Sequence, residues 1–389
     1  MLPMNIFVSA ISASNPLAVY TSKVCVLHDP GSPKRRPEQP ARLANLRHAL
    51  RTSWADEFGD LLQVREPEVD ITEAQLLRVH TADHLARVEA AYANSRPRPG
   101  GTRSFRVNLD RDTVVYEPGT RAAAYRAAGL VVKAVDDLLS SQPPSPPPAP
   151  RQARWRGWFG RMLGGSRATV AASSSPPPPP APPPPSSPQP PPARRAFVAV
   201  RPPGHHAEAD SAGGFCIYNN VMVGVAHAQA AHGIERVAVL DFDVHHGNGD
   251  SDIAWCDPTR LYASSFEAGI YGGDGVVKRC DGLHGQILSC PLPAGSGSAA
   301  FRAAWARELL PAVRAFEPQA IFLSAGFDAH ADDPLASLTL HERDFGWLTA
   351  EVAALGGGNV PIISVLEGGY NVDALERCAR AHVRALIHS

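Results

Sequence analysis

Short apolar runs alternate with amphipathic stretches along most of the chain. Six runs of strand length carry no inside–outside alternation: KVCVLH at 23–28, AFVAV at 196–200, RVAVLDF at 236–242, TRLYASS at 259–265, QAIFLSAGF at 319–327 and VPIISVLEGGY at 360–370. Apolar residues at helical spacing occur at 72–80, 120–139, 221–233, 298–316, 340–355 and 372–387. The helix at 72–80 is predicted to begin with a capping box formed by Thr72 and Gln75.

Strands that are apolar on both sides and are separated by helices are typical of a parallel sheet with both faces covered. We therefore predict an α/β protein with a single domain, built on a mostly parallel sheet with helices on both faces. Ligands of such sheets bind beyond the carboxyl ends of the strands. Four predicted strands end in polar motifs, RPPGHH, DFDVHHGNG, GFDAH and EGGY, and we expect these motifs to form one site.

One segment interrupts this pattern. Residues 141–195 hold half of the 38 prolines, and no acid occurs between Asp137 and Glu208. Such a segment cannot bury a core, so we predict a disordered, low-complexity insert within the domain. Inside it, residues 154–163 combine arginines with Trp, Phe, Met and Leu at helical spacing, which suggests contact with a partner or a membrane surface.

The domain is expected to occupy residues 23–389. Residues 1–22 contain several hydroxyl residues and no acid, and they are predicted to be a flexible terminus or a targeting segment.

Composition narrows the class of protein further. A formal net charge of -1 argues against direct nucleic-acid binding through bulk electrostatics. Six scattered cysteines without a C-x-x-C pair indicate a reducing, intracellular setting, with the nucleus or cytoplasm favoured and an organelle as the alternative. No apolar run reaches the roughly 18 residues of a membrane span.

The polar motifs contain a candidate metal site. Asp243 and His245 are two residues apart, so on an extended segment their side chains point the same way. Asp328, at the end of another strand, can supply a third ligand. Carboxylate oxygen and imidazole nitrogen are ordinary ligands of Zn²⁺, and three protein ligands leave a position open for catalysis. Because two carboxylates largely neutralise the metal, a separate base is useful, and His205 and His206 are the candidates.

At these motifs the chain resembles the zinc-dependent histone deacetylase superfamily, which has the arginase–deacetylase fold. The resemblance is carried by RPPGHHAEADSAGGFCIYNN, VLDFDVHHGNGD, SAGFDAHADDPL and LEGGYN, and it runs from about residue 23 to 385 apart from the insert. The stretches GHHA, HHGNG and DDPLASLTL are closer to the class II and bacterial-type branch than to class I. The resemblance departs at Asp250, where Thr is usual, and at Phe266, where His is common.

The resemblance implies hydrolysis of N6-acetyl-lysine in proteins at one Zn²⁺ per chain, with release of acetate. It implies that His206 is the general base and that His205 supports it or donates a proton. Asp241 would hydrogen-bond His205, and Asn248 would partner the second histidine in place of a carboxylate. Tyr370 would donate its hydroxyl to the substrate carbonyl and then to the oxyanion.

The resemblance also implies a substrate channel and a structural K⁺ site. The residues expected to line the acyl-lysine channel are Gly214, Phe215, Tyr271, Leu335 and Gly369. The residues expected around the monovalent cation are Asp241, Asp243, His245, Ser264 and Ser265. The partner implied is an acetylated protein, histone or non-histone.

Three alternatives remain beside this interpretation. An arginase-like binuclear hydrolase needs further ligands two residues after the matched positions, where this chain has Gly247 and His330. An acetylpolyamine or other small-molecule amidohydrolase would be expected to have an acid at the position where this chain has Leu335. An apolar leucine attracts no polyamine cation. A catalytically inactive acetyl-lysine reader usually lacks the tyrosine, and Tyr370 is present.

Overall fold

A nine-stranded sheet lies at the centre of the protein, as seen in a computed structural model that describes residues 16–31, 34, 36–96, 106–140, 194–273, 275–276 and 279–389. The strands are β1 Leu17–Thr21, β2 Leu62–Arg65, β3 Arg106–Asn108, β4 Val114–Tyr116, β5 Arg195–Ala199, β6 Val237–Asp241, β7 Arg260–Glu267, β8 Arg279–Asp281, β9 Ile287–Leu292, β10 Ala320–Ala325 and β11 Ile362–Leu366. The order in the sheet is β2-β1-β5-β11-β10-β6-β7-β9-β8, and β3 pairs with β4 in a separate hairpin.

Every pairing in the large sheet is parallel except that of β8 with β9 at one edge. The four strands whose ends carry the polar motifs, β5, β11, β10 and β6, are consecutive neighbours in the middle of the sheet. Their carboxyl ends therefore meet at one edge, as the sequence predicted. The sheet confirms the predicted α/β class with a mostly parallel sheet.

The helices are α1 Pro40–Arg51, α2 Ser53–Phe58, α3 Glu73–Leu76, α4 Ala82–Ser95, α5 Thr120–Leu139, α6 Asn220–His232, α7 Asn248–Ala254, α8 Ser298–Ala304, α9 Leu310–Phe316, α10 Glu342–Ala353 and α11 Val372–His388. The predicted capping box of Thr72 and Gln75 is present at α3, although that helix has only one turn. In the part of the chain just described, no helix is long and apolar enough to cross a membrane.

Helices cover both faces of the sheet. Phe322 of β10 pairs in register with Ile363 of β11, so their side chains share a face, and Ser364 points to the other. Gly224 of α6 lies against the Phe322 ring. The Ser364 hydroxyl lies 2.8 Å from His382 Nε2 of α11. Helices α6 and α11 therefore pack on opposite faces, as predicted.

Three local predictions were wrong in their boundaries. The run at 23–28 is a 3₁₀ helix, Lys23–Leu27, in which only Cys25 is buried, and the strand is the preceding LAVYT, β1. All of β1 is buried between β2 and β5, so the domain begins by Leu17 and not at residue 23. Strand β5 starts at Arg195, which the sequence had placed in the insert.

The helix predicted at 298–316 contains a π-helical turn, Trp305–Leu309, between α8 and α9. Pro311 lies at the start of α9 and has no N–H to donate to the preceding turn. The π turn therefore lies directly before this proline, and single π turns within helices are a known local irregularity.

Residues 141–193 of the predicted insert, which include the arginine-rich stretch 154–163, lie outside the described residues. Because each doubling of a surface loop costs only roughly 0.6 kcal/mol, the connection from Leu139 to Arg195 should tolerate shortening. Replacing residues 143–192 with a Gly-Ser linker is expected to leave the thermal unfolding midpoint and soluble yield unchanged. A large drop in either quantity would show that the segment supports the fold.

A buried ion network joins the amino-terminal region to the sheet. Glu38 accepts two hydrogen bonds from Arg201, at 2.8 and 2.6 Å, and a third from Arg42 at 3.1 Å. All three side chains are buried. Burial would raise the pKa of Glu38, but Arg201, with smaller contributions from His28 and Arg42, lowers it from 4.5 to about 2.

Glu38→Gln is expected to lower the free energy of unfolding by about 3–5 kcal/mol at pH 7, because it leaves two buried guanidinium groups without their anion. The contribution of ionised Glu38 to the free energy of unfolding is present above about pH 4.5 and is lost as the pH falls towards 2. The difference in stability between wild type and Glu38→Gln should therefore narrow in acid. The matched control is Glu57→Gln, since Glu57 accepts from the exposed Arg384 at 2.8 Å and such pairs contribute about 1 kcal/mol or less. Urea unfolding that gives equal losses for both variants would contradict the prediction.

Candidate active site

Three ligating side chains converge beyond the ends of β6 and β10. Asp243 and His245 follow β6, Asp328 follows β10, and all three are buried. One ligand atom from each lies within 4.8 Å of the other two. His245 Nδ1 is 3.0 Å from Asp243 Oδ1 and 3.2 Å from Asp328 Oδ2. The structure thus brings together the three residues that the sequence proposed as metal ligands.

The donor set fits a divalent metal. Backbone N–H groups of Val244 and Gly368 hold one oxygen of Asp328 and one of Asp243, each at 2.9 Å. Asp328 Oδ2 is buried and accepts no hydrogen bond from the residues the structure describes. Burial would lower the pKa of His245, but the two carboxylates raise it to about 10, so the cluster attracts positive charge. One nitrogen and two carboxylates match the preferences of Zn²⁺.

Two motif glycines leave the room that this cluster needs. A Cβ at Gly368 would overlap carboxylate oxygens of Asp328 and Asp243, and a Cβ at Gly326 would overlap Asp243 Oδ2. Any other residue at either position would therefore displace a ligand. The glycine of GFDA and the first glycine of EGGY are explained by this close approach.

Asp241 lies behind the ligands, at the end of β6. Its Oδ2 is 3.2 Å from His205 Nδ1 and accepts from the Tyr262 hydroxyl at 2.9 Å, while Oδ1 accepts from Asp243 N at 3.0 Å. A Cβ at Gly247 would overlap Asp241 Oδ2. The contact expected between Asp241 and His205 is therefore present.

The two serines of the expected cation site point in opposite directions. Ser264 of β7 pairs in register with Asp241, so its side chain shares a face with that carboxylate. Ser265 faces the other way, and its hydroxyl accepts from Trp305 Nε1 at 2.8 Å. The Ser265 hydroxyl is thus turned away from the expected cation.

The paired histidines lie in different electrostatic surroundings. Their ring centroids are 4.0 Å apart, and both are buried. Burial opposes charge on His205, but the Asp243 and Asp241 carboxylates outweigh it and hold the pKa of His205 well above its usual value. Burial, with His205 beside it, holds the pKa of His206 well below its usual value. His206 is therefore the neutral member of the pair, and its Nδ1 lies 2.7 Å from Asn248 Oδ1.

Tyr370 is positioned by its backbone and by its ring. Its N–H donates to Asp333 Oδ2 at 2.6 Å. Its ring contacts Phe215 with centroids 5.7 Å apart, and the Arg42 guanidinium lies 4.7 Å from its centroid. Burial raises the pKa of the Tyr370 hydroxyl, so the hydroxyl keeps its proton and can donate it.

Aromatic and glycine residues meet above the histidines. The Tyr271 ring contacts the His206 ring edge to face, with centroids 4.8 Å apart, and Phe215 contacts Tyr370. Gly214 has φ +52° and a Cβ there would overlap the His206 ring, so only glycine fits. Gly369, with φ +114°, is buried against Phe327 and Leu375. These four predicted channel residues surround the histidine pair and Tyr370.

Leu335 and Phe266 differ in their burial. Leu335 is half-buried in the loop whose Asp333 holds Tyr370, and its N–H donates to Asp333 Oδ1 at 3.0 Å. Phe266 stands at a position where the resemblance departs, since His is common there. Its ring is fully buried and packs on His246 with centroids 4.8 Å apart.

Sequence reasoning missed four polar residues beside the site. Arg42 donates to the carbonyl oxygens of Gly369 and Glu367, at 2.6 and 2.5 Å, and so holds the loop that carries Tyr370. A carboxylate oxygen of Asp110 and the Tyr271 hydroxyl both lie next to Gly213. The other two are Glu208 and Glu367. The two glutamates stand within the quoted motifs. Nothing in the sequence signalled Arg42 or Asp110, because the site residues that they contact lie more than 100 positions away.

Two other groups of side chains in the described residues have metal-ligand composition: Asp136 with His227 and His232, and His330 with His341 and Glu342. Neither includes a member of the central cluster. His330, the position a binuclear site would need, therefore belongs to a separate group, and Gly247 has no room for a side chain.

The sheet, the strand-end cluster and the histidine pair define a hydrolase site of the arginase–deacetylase fold. A family model described as "Histone deacetylase domain" matches residues 36–386. The chain therefore belongs to the histone deacetylase family, whose members are deacetylases and related amidohydrolases.

Individual relatives agree with this assignment. The chain is 43% identical over 197 residues to "Histone deacetylase 10, chloroplastic" of Oryza sativa, a match that covers 49% of this chain and 44% of that protein. It is 40% identical over 198 residues to a "Histone deacetylase-like amidohydrolase" of Pseudomonas aeruginosa, covering 49% and 52%. A crystal structure of an "HDA15 HD domain" superposes with a TM-score of 0.73 at 27% identity, covering 96% of this chain and 91% of that one. The matches span about half the length of the two curated relatives.

Proposed function

We propose that the protein hydrolyses N6-acetyl-lysine in proteins with one Zn²⁺ per chain. The observation that carries the proposal is the buried cluster of Asp243, His245 and Asp328, with the His206 ring centroid 5.7 Å from that of His245. A divalent metal at this cluster would polarise the acetamide carbonyl and acidify water. The aromatic walls above it suit the apolar stem of an acyl-lysine.

The protein's own residues would move the protons. His206 Nε2 takes a proton from the attacking water as the new C–O bond forms, and Tyr370 donates a hydrogen bond to the oxygen that becomes negative. When the C–N bond breaks, a histidine returns the proton to the leaving amine. Lysine and acetate are then released, and the histidine pair has its original protonation state.

Acetylpolyamines are a second candidate substrate class. The sequence argument against them was the apolar Leu335, but Asp110 supplies a carboxylate beside Tyr271 at Gly213. Burial and then the Asp110 charge raise the pKa of the Tyr271 hydroxyl, so the Asp110 field reaches the channel wall. A carboxylate there could bind either an ammonium group or a peptide N–H.

The deciding experiment is a panel of acetylated peptides, longer acyl-lysine peptides and acetylated polyamines, assayed with and without added zinc. Protein deacetylation predicts the highest kcat/KM for an acyl-lysine peptide. A polyamine with kcat/KM tenfold above every peptide would reverse the assignment. No hydrolysis of any substrate in the zinc-loaded protein would reject both.

The location and partners of the protein follow as part of the same proposal. We expect an intracellular enzyme that acts on acetylated proteins and does not bind nucleic acid directly. The rice relative named above is chloroplastic by name, which keeps an organelle as an alternative to the nucleus or cytoplasm. Imaging of the tagged full chain would decide between these compartments.

A further inference from the structure

A chain of hydrogen bonds leads from the catalytic histidine to a carboxylate outside the predicted site. His206 Nδ1 lies 2.7 Å from Asn248 Oδ1, and Asn248 Nδ2 donates to Glu208 Oε1 at 2.7 Å. The Asn248 backbone N–H also donates to the carbonyl oxygen of His246 at 2.8 Å. Asn248 is therefore fixed between the histidine and Glu208.

Glu208 decides which way the Asn248 amide points. An ionised carboxylate only accepts hydrogen bonds, so the NH₂ of Asn248 must face Glu208 and its oxygen must face His206. An amide oxygen likewise only accepts, so His206 Nδ1 must carry the proton. The lone pair of His206 is then on Nε2, the nitrogen required for proton abstraction in the proposed reaction.

Glu208 is itself well anchored. The Ser211 hydroxyl donates to its second carboxylate oxygen at 3.1 Å, and its backbone N–H donates to the Ser211 carbonyl at 2.9 Å. Its carbonyl accepts from His80 Nδ1 at 3.0 Å. His80 Nε2 accepts from Asn219 N, so Nδ1 is the donor in that pair. These bonds hold the carboxylate where the amide needs it.

We propose that Glu208 is a positioning residue that selects the Nδ1–H tautomer of His206 through Asn248. The inference rests on the proposed function, because only hydrolysis with His206 as base requires this tautomer. A directly bonded carboxylate would fix the tautomer in one step. Here a neutral amide fixes it because Glu208 holds the amide at 2.7 Å, a much shorter bond than the 3.5 Å from Asn248 Nδ2 to the His206 carbonyl oxygen.

The probe is Glu208→Gln, which keeps the side-chain shape. A glutamine can donate or accept, so the Asn248 amide can then point either way and His206 can adopt the other tautomer. We expect kcat to fall about 10–100-fold, the loss typical of outer-sphere partners, with KM changed less than about twofold and metal content unchanged.

A double variant, Asn248→Asp with Glu208→Gln, tests the same idea by rescue. The carboxylate introduced by Asn248→Asp can only accept, from His206 on one side and from the new glutamine amide on the other, so only one arrangement remains. This variant should recover kcat to within about fivefold of wild type. If the kcat of the double variant is no higher than that of Glu208→Gln alone, Glu208 does not act by selecting the tautomer of His206.

The matched control is Asp252→Asn. Asp252 lies in α7, the helix that carries Asn248, and the substitution removes its carboxylate charge. Asp252 accepts from Ala209 N at 3.0 Å, and among the described residues it shares no hydrogen bond with Asn248. Its kcat should stay within about twofold of wild type. An equal loss in this control would assign the effect to net charge and overturn the proposal.

The tautomer is also read without substrate, from nitrogen-15 NMR of His206, assigned with His206→Ala. Wild type should show the Nδ1–H form and Glu208→Gln a mixture. An unchanged His206 spectrum in Glu208→Gln would overturn the proposal, whatever the assay gives. If wild type hydrolyses no acyl amine, the proposed function fails, and with it the reason for the tautomer, even where the spectrum changes as expected.

Discussion

Tyr370→Phe is expected to lower kcat about 10²–10³-fold, because it removes one hydrogen bond to the oxygen that becomes negative in the transition state. The change deletes a single hydroxyl. The ring contacts with Phe215 and Arg42 and the bond from Tyr370 N to Asp333 remain, so the loop should not move. The metal content and the thermal midpoint should equal those of wild type.

The control for this experiment is Tyr125→Phe, which removes a half-buried hydroxyl bonded to Glu89 at 2.9 Å, far along the chain from the site. Its kcat should be unchanged. If Tyr370→Phe retains more than about a third of the wild-type kcat, the hydroxyl does not stabilise the oxyanion. The proposed mechanism would then have only the metal to stabilise that oxygen.

The composition of the site could be predicted from the sequence because its residues lie at the ends of buried strands. Asp243 follows a buried strand of five residues and Asp328 follows one of six, and a buried parallel strand places the next polar residues at its exposed carboxyl end. The helix α5 was predicted with its observed bounds because its apolar spacing persists for 20 residues.

The arrangement of these strands could not be predicted in the same way. The order β5-β11-β10-β6 depends on pairings between residues some 40 to 170 positions apart, and local periodicity carries no information about such pairings. Strand β1 was missed for a related reason. Its five residues are buried because β2 and β5 pair with it on either side, which its own short sequence does not reveal. The neighbouring KVCVLH looked more strand-like, although it forms a 3₁₀ helix.

Arg42 shows the same limit at the level of one side chain. In sequence it is an ordinary arginine in a helix, and its partners Glu367 and Gly369 are 325 and 327 positions away. Glu208, by contrast, stands two residues after His206, within a motif that drew attention only to the histidines. Its relation to Asn248 appears only when α7 is placed beside that loop.

Asp328→Asn is expected to remove most of the bound metal and nearly all hydrolysis. The substitution keeps the shape of the side chain and the acceptor for Val244 N, but it removes one of the two charges that offset a divalent cation. Loss of a direct ligand should weaken metal affinity by at least the roughly 10–100-fold that loss of an outer partner costs. Metal analysis after dialysis against a chelator should find about one Zn²⁺ per wild-type chain and well under one in the variant.

The matched control is Asp136→Asn, in the second group with metal-ligand composition. There His227 and His232 each lie 2.8 Å from Asp136 Oδ1 through Nε2, and Asp136 itself is only half-buried. Arg78 lies 2.9 Å from His227 Nδ1 and can only donate there, so Nε2 carries the proton and is not free to bind a metal. The control should therefore keep its full zinc content. A chain that instead loses zinc in Asp136→Asn, or holds two tightly bound metals, would show that the single strand-end site is wrong.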